Sequence, residues 1–236
     1  MELVEKQVVS KQRVADHGEV LTGKREVNAM LDLVKQETER IESRFLEPAC
    51  GSGNFLTVIL ERKLAVVEKR YSKSQLKFER NAFSAASSLY GIEILSDNVS
   101  QCRERLFAVF DDVYERLFPN TSKAGCRDAI RFVLLRNIVW GNALTFGTGE
   151  KPPKPIVFSE WSFPFDDSRV KRRDFAFSGL LQHEETRESL LFPETKKNAE
   201  EQMALFADVV KDDFNPKPIP PDFSPVHFME IAHVQQ

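Results

Sequence analysis

The chain has 236 residues, 42% of them hydrophobic and 29% charged, which supports one sizeable core and excludes a mostly disordered or collagen-like polymer. No run approaches the ~20 apolar residues of a membrane span. The opening MELVEKQVVSKQRV is too charged for a signal peptide, so a cytoplasmic protein is expected. A formal net charge of -3 excludes the globally basic surface of a stand-alone nucleic-acid binder and leaves only a local basic stripe for such contacts.

Apolar residues at Val27, Met30, Leu31, Val34 and Ile41 predict an amphipathic helix over 25–41. A short strand over 44–47 follows, then helices over 54–70, with Phe55, Ile59, Leu60 and Leu64 inward, and over 74–88. The stretch 89–94 reads as a strand. From Ser96 the set Val99, Cys102, Leu106, Val109, Phe110, Val113 and Leu117 keeps helical spacing, with Asp97 placed to suit the helix dipole. A helix over 124–135 and buried strands over 137–140 and 155–158 complete an alternation that predicts an α/β fold, a mostly parallel sheet flanked by helices. Nine of ten glycines fall at or before Gly149 and ten of twelve prolines at or after Pro152, so the composition changes near residue 150.

The three cysteines, Cys50, Cys102 and Cys126, are odd in number and lack zinc-site spacing, and the four histidines are scattered. Reduced thiols and no metal are therefore expected. The informative segment is Phe45-Leu46-Glu47-Pro48-Ala49-Cys50-Gly51-Ser52-Gly53-Asn54-Phe55-Leu56, a strand end running through a glycine turn into a helix. Gly51 and Gly53 permit positive φ and put no Cβ between ligand and backbone, and helix N–H groups point at the ligand's polar edge. Glu93 ends the next strand, where a carboxylate can accept from both hydroxyls of a ribose. Each residue also has a plain structural reading: the glycines as shapers of a tight turn, Glu93 as a solvated strand end, Cys50 as a small packing residue.

With these segments in this order, the chain resembles the gamma class of N6-adenine DNA methyltransferases, which includes modification subunits of type I restriction systems. The match covers about residues 17–160. The resemblance implies a Rossmann-like S-adenosylmethionine-dependent methyltransferase fold, with a complete sheet or one whose C-terminal half is incomplete in this chain as the two forms expected. It places a cofactor-binding domain over 1–165, N-terminal helical segment included, and a loop-rich extension over 166–236. It makes Glu47, Pro48, Ala49, Cys50, Gly51, Ser52, Gly53 and Phe55 the S-adenosyl-L-methionine loop. Thr22, in His17-Gly18-Glu19-Val20-Leu21-Thr22, falls by the methionine end of the cofactor, with Gly23 where the family has proline. Glu93 takes the ribose hydroxyls, Ile94 packs on the adenine, and Asn142, followed by Ala143, stands where the family carries an aspartate that accepts from the adenine amino group.

The family's Asn-Pro-Pro-Tyr or Asn-Pro-Pro-Phe after the fourth strand is absent; Pro155-Ile156-Val157-Phe158 runs into Ser159-Glu160-Trp161-Ser162-Phe163. Ser159 and Glu160 could accept from an amine and Trp161 or Phe163 could stack on an extruded base; the competing reading is core packing. Adenine-N6 methylation of DNA in a restriction-modification or phage-defence system is the expected function. A non-catalytic cofactor-binding subunit that needs a partner chain is the first alternative, and methylation of RNA or protein the second. Arg169-Val170-Lys171-Arg172-Arg173 reads as a phosphate-binding stripe or a solvated loop. Gln202-Met203-Ala204-Leu205-Phe206 resembles the peptide by which bacterial DNA-processing proteins dock on the sliding clamp, with Gln202, Met203, Leu205 and Phe206 as its contacts; the alternative is packing on the chain's own core.

Overall fold

The computed structural model of the chain describes residues 22–179, 221 and 223–234. Helix α1 spans Lys24–Asp32 and a one-turn helix α2 spans Lys35–Thr38. The single helix expected over 25–41 is therefore broken. The N–H groups of Leu33 and Val34 bond back three residues to Met30 and Leu31, a tightened turn that ends α1. The bend lets Thr38 and Ile41 join Val27 and Leu31 in the interior, while Val34, which unbroken periodicity would bury, is 46% exposed.

From there the elements follow the sequence expectation to within two residues: β1 Phe45–Glu47, α3 Asn54–Tyr71, α4 Gln75–Ser87, β2 Leu89–Glu93, α5 Ser96–Leu117, α6 Ala124–Asn137 and β3 Ile138–Asn142. A two-residue strand β4, Gly147–Thr148, closes the sheet, whose order is β1-β2-β3-β4. β1 and β2 run parallel with Phe45 opposite Leu89, β2 and β3 run parallel with Gly91 opposite Ile138, and β4 returns antiparallel. Both parallel steps cross over through a helix pair, α3–α4 and then α5–α6, because parallel neighbours cannot be joined by a tight turn. The protein is thus α/β, with mostly parallel strands flanked by helices.

Strand alternation divides the core in two. Leu89 and Ile138 face the helices and join Leu56, Leu60, Leu106, Phe110 and Val133 in the main apolar cluster. Ile92 faces the other way, into a smaller cluster with Ile156, Phe158 and Phe177, against which Tyr90 and Val139 pack.

The region after Pro155 departs from expectation. The strand expected over 155–158 as a fourth member of the sheet is β5, Val157–Ser162, and it belongs to a separate antiparallel sheet, β5-β6-β7, with β6 at Arg169–Ala176 and β7 at Val226–His227. Its pairing follows from what it buries: Phe158 meets the Tyr90 ring edge-on at 5.3 Å, and the Ser159 N–H donates to Asn137 Oδ1 at 3.1 Å. The domain boundary placed at residue 165 falls between two paired strands. Phe228, in a short 3-10 turn before the four-residue α7 Ile231–Val234, is fully buried beside Phe83 and Phe163. The basic run 169–173 is most of β6, which corrects its reading as a solvated loop. Arg172 is 2% exposed and donates to Asp174, Arg173 donates to Glu160, and Arg169 donates to Asp167, so these guanidinium groups are engaged within the fold.

Gln202, Met203, Leu205 and Phe206 lie outside the described residues. Among the described residues no helix is long and apolar enough to cross a membrane, and no three His, Cys, Asp or Glu side chains gather as metal ligands. Cys50, Cys102 and Cys126 are buried free thiols.

Candidate functional site

The carboxyl ends of β1, β2 and β3 bring together most of the residues assigned to the cofactor. Beyond Glu47 the chain passes through exposed Pro48 and Ala49. The Cys50 N–H then reaches Ile92 O at 3.0 Å, extending the β1–β2 ladder by one bond. Gly51 has φ 52° and Gly53 φ 90°, left-handed conformations that glycine adopts without strain. The Gly53 N–H closes the turn onto Cys50 O at 2.8 Å, and α3 starts at the next residue. No side chain caps α3, so its first-turn N–H groups have no intrahelical or capping partner.

Space as well as φ demands these glycines. A Cβ on Gly53 would stand 2.6 Å from Cys102 Sγ, and one on Gly91 would stand 2.9 Å from Cys50 Sγ. Cys50 is a packing residue under the turn. Its hydrogen-bonded neighbour Cys102 and its burial push its thiol well above the ordinary range, the opposite of an activated nucleophile.

Glu93 is buried at the end of β2 and joins the two halves of the site. Its Oε2 accepts from the Gly51 N–H at 2.9 Å and its Oε1 from the Leu95 N–H at 2.9 Å. Each carboxylate oxygen keeps a further lone pair, so the group can still accept from a ligand's hydroxyls. Glu47 is half-buried; burial raises its carboxyl above the usual range, opposed by a hydrogen bond from the Ala49 backbone. Ile94, which follows Glu93 in the chain, is 53% exposed, and its carbonyl accepts from the Trp140 indole at 3.0 Å. Asn142 Oδ1 accepts from the Leu144 N–H at 2.9 Å, so the oxygen expected to meet an adenine amino group already holds one donor. Ala143 packs on the smaller apolar cluster, and half-buried Phe55 packs on the main one. Thr22 lies next to the turn, its carbonyl accepting from Asn54 Nδ2 at 2.9 Å.

Two contributors carry no motif. Trp140 packs against Gly149, where a Cβ would come 2.0 Å from the ring, and its indole N–H ties β3 to Ile94. Arg105 reaches from α5 to Ser52 and Asn54. The only sequence signals were a tryptophan two residues before Asn142 and an arginine one turn beyond Cys102 on the same helix face.

Ser159, Glu160 and Trp161 are not gathered here. Glu160 forms ion pairs with Arg44, which immediately precedes β1, and with Arg173 at 2.8 Å, so it stands at the amino end of β1 while the glycine turn leaves the carboxyl end. The Ser159 hydroxyl donates to Asp174 at 2.7 Å. The Trp161 ring meets Phe83 and Phe132 edge-on, each at 6.0 Å. The reason is topological: β5 pairs with β6 rather than with β1, so the residues after Phe158 continue a strand and do not form a loop over the carboxyl ends. These three side chains therefore stand apart from the glycine turn and take part in the second sheet's packing and pairing.

The carboxyl-end site fits an adenosyl ligand in its donor set: positive-φ glycines that leave the backbone open, a buried carboxylate hydrogen-bonded to the turn, and an exposed apolar residue next to it in sequence. No protein-family model, curated protein or solved structure matches the chain.

Proposed function

We propose that this chain is a Rossmann-like S-adenosylmethionine-binding subunit of a DNA-modification or phage-defence assembly, similar to gamma-class N6-adenine methyltransferases, in which a partner chain handles the acceptor base. The observation that carries the reading is the Glu93–Gly51 hydrogen bond, which holds a carboxylate against a glycine turn at the ends of adjacent parallel strands. Glu47 to Gly53, Phe55, Glu93, Ile94 and Thr22 would hold the cofactor, with Asn142 and Ala143 at the far edge. When bound, the cofactor supplies an electrophilic methyl group. The assignment of the acceptor base to a partner rests on Ser159, Glu160 and Trp161, whose polar contacts and ring packing stabilise the second sheet at the amino end of β1.

Calorimetry with S-adenosylmethionine tests the reading. Binding by the wild type is expected, with at least a tenfold loss in Glu93→Ala, because removing the carboxylate deletes both the ligand contact and the brace on Gly51. Glu160→Ala is expected to bind within about twofold of wild type. Labelled-methyl transfer to unmethylated DNA by this chain alone, abolished by Glu160→Ala, would return the chemistry to β5 and overturn the division of labour. Labelled RNA or protein with unlabelled DNA would redirect the substrate class.

A further inference from the structure

We infer that Arg105 is a positioning residue for the S-adenosylmethionine site, holding the half of the glycine turn that receives the ligand beyond its ribose; this rests on the reading of the β1–α3 turn as that site. Arg105 lies three residues past Cys102 on α5, so both side chains leave one face of the helix toward the turn. Cys102 fills the space beside Gly53. A single nitrogen of Arg105, Nη1, donates to Ser52 O at 2.7 Å and to Asn54 Oδ1 at 2.7 Å, with Ser52 Oγ at 3.1 Å sharing one of its two hydrogens.

The Asn54 amide continues the chain of bonds. Its oxygen faces Arg105 and its nitrogen donates to Thr22 O at 2.9 Å, so one guanidinium on α5 fixes the turn, the first residue of α3 and the segment leading into α1. The turn is thereby held from two sides. Glu93 takes the Gly51 N–H, and Arg105 takes Ser52 and Asn54. Glu93 marks the ribose, so the part held by Arg105, together with the open N–H groups at the start of α3, faces the ligand's methionine portion. Bonds from a charged donor hold a backbone more firmly than neutral ones, and a turn fixed before binding spares the ligand the cost of ordering it.

The inference predicts a split between two ligands that share the adenosine part: S-adenosylmethionine, and 5′-methylthioadenosine, which lacks the amino-acid portion. Calorimetry on Arg105→Ala should show S-adenosylmethionine affinity lower by about 10- to 100-fold. Methylthioadenosine affinity should stay within about twofold. Arg105→Lys should recover part of the loss, because all three bonds come from one nitrogen that an ammonium can replace at slightly shorter reach. Arg105→Gln, which keeps most of the side chain's packing, serves if the alanine variant unfolds. Equal loss of both ligands, or unchanged S-adenosylmethionine binding in Arg105→Ala, would overturn the positioning role while leaving the site in place. A wild-type chain that binds neither ligand would overturn the site reading, and the role of Arg105 with it.

Discussion

At Gly53 two costs meet in one residue: a φ of 90° and a Cβ position 2.6 Å from Cys102 Sγ. Gly53→Ala is expected to destabilise the protein by about 2 to 5 kcal/mol in urea unfolding, summing left-handed strain and overpacking. Combining it with Cys102→Ala should recover the overpacking part alone, so a double-mutant cycle is expected to show favourable coupling with the φ cost left over. Additive effects would mean that the turn shifts away from α5. Gly51 and Gly53 were legible as special in the sequence because residue type reports φ so directly. That Cys102 is the neighbour enforcing one of them was not legible, since 49 residues separate the pair and only the packing of α5 on the turn joins them.

Among elements, α3 is the hub, buried along much of its length and carrying Lys63 into the interior. The Lys63 ammonium donates to Ile41 O at 3.1 Å and also to Ser43 O and Ser88 Oγ, tying α3 to the segment before β1 and to the start of β2. Burial pulls this group from 10.5 down to about 7, with Glu37 opposing. Between those values the unfolded chain keeps a proton that the folded chain has released, so this group makes stability rise with pH from about 7 toward 10.5 and leaves it flat below. The unfolding free energy of wild type minus that of Lys63→Met should therefore rise between pH 7 and pH 10. A constant gap would show that Lys63 stays charged in the fold. The periodicity of residues 54–70 predicted the helix and its inward Ile59, Leu60 and Leu64 but not the burial of Lys63, because a helical pattern does not reveal carbonyls brought in from other elements.

Across the whole molecule, the second sheet is joined to the helical layer through a buried charged cluster. Asp174 on β6 accepts from Arg172, from the Ser159 hydroxyl and from Arg136 on α6. Burial raises its carboxyl, but the bonds from Arg172 and Ser159 outweigh this and hold it below the ordinary value. A depressed carboxyl stabilises the fold above the unfolded-state value and loses that contribution as pH falls through the folded one. Asp174→Asn is expected to cost about 3 to 5 kcal/mol at pH 7, because it removes the carboxylate charge that Arg172, Arg136 and the Ser159 hydroxyl share inside the fold. The deficit should shrink toward pH 3, and S-adenosylmethionine affinity should change by less than about twofold, since the cluster is separate from the carboxyl-end site. A full-sized deficit at pH 3 would show that Asp174 contributes through packing and not through its charge.

What the sequence by itself determined is local: the helix and strand order from β1 through residue 142, the glycine turn, and Glu93 at the end of the second strand. These follow from hydrophobic period, φ preference and short-range spacing, which a linear chain records. The tertiary structure alone decided where β5 pairs. The stretch 155–158 is apolar and strand-forming in either location, and nothing in its period says whether it lies beside β1 or turns back on β6. The pairing with β6, the Phe158–Tyr90 contact and the Asn137–Ser159 bond carry Glu160 to the amino end of the strands, away from the glycine turn. For the same reason Arg105, Cys102 and Trp140 enter the site without a motif: their roles come from contacts between segments distant in the chain, which only the packed fold specifies.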